Sequence, residues 1–116
     1  MQIKTIESLP QQKVEMEGAN GCCVRVLFGP KDNAPTFAMR QFEIAPGGNT
    51  PLHTHDFEHQ VVVLKGTIIV ESKDGPTETK PGDVIMAMPN ELHQFKNPSE
   101  TESASMLCFV PIEYQP

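Results

Sequence analysis

The sequence predicts an all-β fold, a small barrel or two-sheet jelly roll of about eight strands, on three observations. Apolar runs are short and end at turn residues. No helical stripe of any length interrupts them. In 116 residues, 11 prolines and 8 glycines supply the punctuation.

Val24-Arg-Val-Leu-Phe28 is the first clear strand, stopped by Gly29-Pro30 and a loop through Lys31, Asp32 and Asn33 to Pro35. Thr36 to Ile44 alternates in the manner of a half-buried strand and is expected to stop at Ala45-Pro-Gly-Gly48. His59 to Leu64 leads through Lys65-Gly66 into Thr67 to Glu71, which ends at Lys73-Asp-Gly75-Pro76. Val84 to Met88 follows Lys80-Pro-Gly-Asp83 and is closed by Pro89-Asn90. Ala104 to Val110 is the last strand, stopped by Pro111. Pro51 and Pro98 mark loops or edges, since proline cannot donate to a central ladder. Residues 1–20 are polar and irregular, and are expected to form an arm that packs on the barrel or on a second subunit.

The length suits one domain, residues 1–116, with no linker, repeat or low-complexity tract. A net charge of -6 with only nine Lys and Arg argues against a nucleic-acid partner, which needs clustered cations. There is no apolar run of the ~20 residues a membrane helix needs and no signal-like start, so no membrane partner and a cytoplasmic address are expected. Cys22, Cys23 and Cys108 are an odd number without zinc-ribbon or Cys-x-x-Cys spacing; they read as reduced thiols, small hydrophobes in the core.

The chemistry is concentrated in the histidines. Of four in the chain, His53, His55 and His59 fall within seven residues, and His93 follows 34 positions later. In an extended chain His53 and His55 point to one face. His59 shares their parity, but four residues of straight strand would carry it about 13 Å from His55. Metal to imidazole bonds are only about 2.0 to 2.2 Å long. One ion can therefore take all three only if the chain turns at Asp56-Phe57-Glu58 and brings His59 back on the next strand. Neutral histidine is the commonest metal ligand, so a metal site is the expectation.

These residues carry a resemblance to the cupins. The first cupin motif, Gly, five residues, His-x-His, three or four residues, Glu, six residues, Gly, reads here as Gly47, His53-Thr54-His55, His59 and Gly66 with matching spacing, residues 47–66. His59 stands where most cupins have glutamate. The second motif, residues 82–97, is similar through Gly82, Pro89, His93 and Asn97, with one residue added before Pro89, one lost after it, and Glu91 in place of a glycine. The chain resembles in particular the small single-domain bacterial cupins that hold manganese with four histidines. The resemblance implies a double-stranded β-helix, the jelly-roll barrel of that superfamily, and a homodimer whose terminal strands extend the partner's sheet.

It also implies one divalent transition metal per chain on His53, His55, His59 and His93. Manganese is favoured, and nitrogen-only ligation equally admits Fe, Co, Ni, Cu or Zn while disfavouring Mg and Ca. Four neutral imidazoles leave the ion's full charge in place. Four histidines could close a tetrahedral structural zinc site, but the resemblance implies positions left open for substrate or oxidant. Glu58, Gln60, Glu91 and Asn97 are close enough in sequence to orient the rings.

The function expected is a metal-dependent oxidoreductase, using dioxygen or peroxide on a small organic molecule. One alternative is a metal-dependent isomerase or lyase of a small carbonyl compound; another is a ligand-binding or metal-sensing module without turnover. No general base is evident, and Glu113 and Tyr114 lie in a tail without an obvious route to the site. Cys108 and Arg40 are the candidate catalytic residues. In the last strand both alternating faces are apolar, and only the resemblance favours Cys108 looking inward. Arg40 is expected on the surface; pointing inward, it would have to meet an anion and so indicate an acidic substrate.

Overall fold

A computed structural model describes residues 1–116. Nine strands run β1(Gln12–Lys13), β2(Asn20–Phe28), β3(Phe37–Asn49), β4(His59–Lys65), β5(Ile68–Ser72), β6(Gly75–Thr79), β7(Val84–Ala87), β8(His93–Lys96) and β9(Ala104–Pro111). They pair antiparallel in the order β6-β5-β8-β3-β9-β4-β7, with β2 on β3 and β1 on β2. The sheet curls so that β3 belongs to both halves. Residues 37 to 44 of β3 pair with β9, and its end, Asn49, pairs with Lys96 of β8. The architecture is the expected all-β jelly roll. No helix is long and apolar enough to cross a membrane.

Period-two alternation decides the interior. In β9, Ala104, Met106, Cys108 and Val110 are buried, and Val61 and Val63 of β4 meet them across the register. Ile44, Ile68 and Phe95 complete the contact from three other strands. Each buried Val, Ile, Met or Phe among them removes apolar surface worth roughly 1.5–3 kcal/mol from water.

Three departures from the sequence reading have physical causes. β3 does not stop at Ala45: it runs on to Asn49 through a bulge in which five steps along β3, from Ile44 to Asn49, match two along β2, from Cys22 to Asn20. Gly48 makes this possible, because a Cβ there would come within 2.6 Å of the Asn20 carbonyl oxygen. Gly75-Pro76 does not end the chain's strand structure but opens β6, a sheet edge where proline's missing N–H costs no ladder bond. The arm of residues 1–20 contributes β1, which pairs with β2 of its own barrel.

Candidate metal centre

The bulge delivers the chain to a second ladder that fixes the first histidine. Thr50 N–H donates to the Phe95 carbonyl at 2.9 Å, and Thr50 Oγ1 accepts from Phe95 N–H at 2.9 Å. Two steps down β8 from Phe95, His53 and His93 exchange backbone hydrogen bonds at 3.2 and 3.1 Å. Directly opposed residues share a face, and their rings lie 5.0 Å apart. His55 follows on that face, and its carbonyl is held by Asn90 N–H. The chain then bends at Asp56-Phe57, and His59 opens β4, the turn the spacing required.

The ring nitrogens show what the geometry is for. His55 Nδ1 donates to the Phe57 carbonyl at 2.7 Å and His93 Nδ1 donates to the Glu91 carbonyl at 2.8 Å. A carbonyl only accepts, so Nδ1 carries the proton and Nε2 keeps its lone pair. Both Nε2 atoms are buried and bonded to nothing in the protein. His53, His55 and His93 each offer a ligand nitrogen within 4.8 Å of the others. Buried acceptors without partners are costly, and two such lone pairs beside a His53 ring nitrogen at this spacing suit a cation between them. The donor set therefore fits a divalent transition metal.

His59 is not part of that triplet. Its ring stacks on His55 at 4.4 Å and lies 5.3 Å from His93, while its Nδ1 faces Cys108 Sγ at 3.1 Å. Burial, helped by the Arg40 charge, pushes its pKa down to about 2, so the ring is neutral at any ordinary pH. His53 and His55 are lowered as well, chiefly by burial. All three stay in the form that can bind a metal.

Of the four expected ring-orienting residues only Glu91 is found in that role, toward His93 and through its backbone carbonyl rather than its side chain. Glu58 and Gln60 bond each other at the surface, and Asn97 holds the Ile44 and Glu102 carbonyls. Backbone carbonyls two residues away do the orienting for His55 and His93. Tyr114, expected in a tail away from the site, stacks on Phe57 at 3.9 Å, and Phe57 stacks on His55 at 3.9 Å. The column Tyr114, Phe57, His55, His59 braces the histidines from the C-terminal turn.

His53, His59 and His93 open into a cavity of about 380 Å³ whose apolar wall includes Val24, Val26, Phe42, Phe95 and Met106. Cys108 lines it, which settles the face of β9 that looks inward. Arg40 lines it too, contrary to its expected surface position. The reason is register: Arg40 stands opposite Cys108 and two residues before Phe42, on the face of β3 that curls over the cavity. Its Nη2 donates to Cys108 Sγ at 3.0 Å, and its Nε is buried without a partner. Burial pushes the Cys108 thiol up, with Arg40 pulling the other way.

A family profile described as a cupin domain matches residues 40–110. The 1-methylthio-D-xylulose 5-phosphate methylsulfurylase of Rhodospirillum rubrum is 33% identical over 77% of this chain and 55% of its own length. Auxin-binding protein T85 of Nicotiana tabacum is 30% identical over 82% of this chain and 47% of its own. The chain thus spans about half the length of these curated relatives. Among solved structures, a polyketide cyclase from Streptomyces resistomycificus superposes with a TM-score of 0.92 at 29% identity, covering 100% of this chain and 82% of that one. A profile that runs from Arg40 in β3 through both histidine segments to Val110 in β9 matches the parts that build this pocket, and the chain belongs to the cupin family.

Proposed function

We propose that this cupin is a metal-dependent enzyme acting on a small organic molecule, with one divalent ion per chain, manganese favoured, held by His53, His55, His93 and His59. The observation that carries the reading is the pair of buried, unpartnered Nε2 atoms on His55 and His93, whose protons are committed to carbonyls on the far side of each ring. With its Nδ1 turned to the Cys108 sulfur at 3.1 Å, His59 would offer Nε2 as the fourth donor. Bound there, such an ion supplies a redox change or Lewis acidity.

An oxidoreductase using dioxygen or peroxide is the first reading, because the cavity offers little acid–base machinery of its own. Glu15 is the one Asp or Glu side chain on its wall and is exposed. The Tyr114 hydroxyl is held above its usual range by Asp56, and the Cys108 thiol is raised by burial, so neither is a base at neutral pH. A second reading, Lewis-acid chemistry on a carbonyl compound, is favoured by the likeness to a polyketide cyclase over the whole chain. Exposed Val84 and Met86 on the edge strand β7 suit the expected homodimer.

Metal replacement separates the readings. Peroxide-dependent turnover with manganese or iron should fall by at least about tenfold when zinc is loaded instead. Equal turnover of a carbonyl substrate with zinc would favour the second reading, and binding without product under every metal would leave a ligand-binding module.

A further inference from the structure

Arg40 carries a positive charge into the histidine cavity without an ion-pair partner: Glu15, the Asp or Glu side chain on the wall, is exposed and is not paired with it. Its guanidinium lies 4.9 Å over the Phe42 ring, and its Nη2 donates to the Cys108 sulfur, a weak acceptor. Nε is buried and bonded to nothing. The protein's ion pairs, Lys4 with Asp32, Arg25 with Glu43 and Lys96 with Glu71, leave Arg40 out. Guanidinium does not lose its proton in proteins, so the charge stays, and a half-buried cation without an anion is costly. The polar groups sharing the cavity with it include the His53, His59 and His93 imidazoles, and a cation among them would add positive charge. In a chain of net charge -6 this pocket is a local exception, of the kind that marks functional sites.

We propose that the ligand of this cavity carries a carboxylate seated on Arg40, with its apolar remainder along Phe42, Phe95 and Met106. The inference rests on reading the cavity as the site where substrate meets the metal centre. One planar guanidinium with an unspent N–H complements a planar two-oxygen anion, whereas phosphate sites gather several donors, commonly a nest of backbone N–H groups. A cavity of about 380 Å³ is in the small-molecule range. The ligand class is a small aromatic or aliphatic carboxylic acid.

Calorimetric titration with benzoate, its neutral isostere benzamide, and phenyl phosphate tests this on metal-loaded and chelator-treated protein. Benzoate should bind at least about tenfold more tightly than benzamide in both forms and outcompete phenyl phosphate. Arg40→Met should erase the preference at unchanged metal content, and Arg40→Lys, which keeps charge without the fork, should restore part of it. Because Arg40→Met removes a half-buried charge without an ion-pair partner, its melting temperature should not fall. Equal affinity for benzoate and benzamide, tighter phenyl phosphate binding, or a preference that survives Arg40→Met or vanishes with the metal would overturn the proposal. A benzoate preference in protein that never takes up metal would uphold it and sink the metal-enzyme reading instead.

Discussion

His93→Ala is expected to weaken metal binding by more than about 100-fold while leaving the barrel folded. Loss of a residue that merely orients a ligand already costs about 10- to 100-fold in metal affinity, and here a ligand itself is removed. The fold should survive because His93 is tied in through its backbone: its N–H and C=O both bond His53, and those contacts do not involve the ring. The ring is 3% exposed and donates one hydrogen bond, to Glu91, but it also buries an unsatisfied Nε2. Losing the bond costs about 1 kcal/mol and removing the orphaned acceptor returns a similar amount, so the metal-free variant should lie within about 2 kcal/mol of the wild type. Competition with a coloured chelator reads the affinity, and denaturant unfolding after chelation reads the stability. Unchanged metal affinity in this variant would rule His93 out as a ligand.

Acid should destabilise the metal-free protein steeply. His59 has a folded pKa of about 2 against roughly 6.5 unfolded, and His53 and His55 are shifted in the same direction. Below pH 6.5 the unfolded chain takes up protons that the folded chain refuses, so stability falls as pH falls. The stabilisation is fully present above pH 6.5. For His59 alone the slope approaches about 1.4 kcal/mol per pH unit below pH 6.5, and the loss is about 2 kcal/mol between pH 6.5 and 4.5. That corresponds to a drop of roughly 7–15 °C in melting temperature for a domain of this size. Bound metal, which also requires neutral rings, should hold stability high at pH 7 and be lost over the same window, making the holo curve steeper still. A His59→Phe variant, which cannot take up that proton, should show a flatter curve over this range; identical slopes in wild type and variant would show that His59 is not held neutral by the fold.

Much of this site was legible in the sequence, and the reasons differ residue by residue. The shared face of His53 and His55 follows from the two-residue period of extended chain, and the turn before His59 follows from the reach of a metal–nitrogen bond. His93 was reached only through the cupin spacing, since nothing local distinguishes Glu91-Leu-His-Gln94. Arg40 was misplaced because Thr36 to Ile44 mixes polar and apolar residues on both faces, and only the register with Cys108 decides which face curls inward. The acceptors for His55 and His93 are backbone carbonyls, which have no residue-type signature. Tyr114 and Phe57 are 57 positions apart, and their stacking depends on where β9 ends. β6 carries glycine and proline, which read as a stop, yet at an edge they are tolerated.

The most direct test of the central claim is the metal content of protein purified without chelator and without a histidine tag, measured by elemental analysis together with the melting temperature before and after chelation. Ligand nitrogens of His53, His55 and His93 within 4.8 Å of one another predict about one divalent transition metal per chain, and a melting temperature that falls when it is removed. Protein that carries no metal, takes none up when offered manganese, iron or zinc, and melts at the same temperature with or without chelator would contradict it.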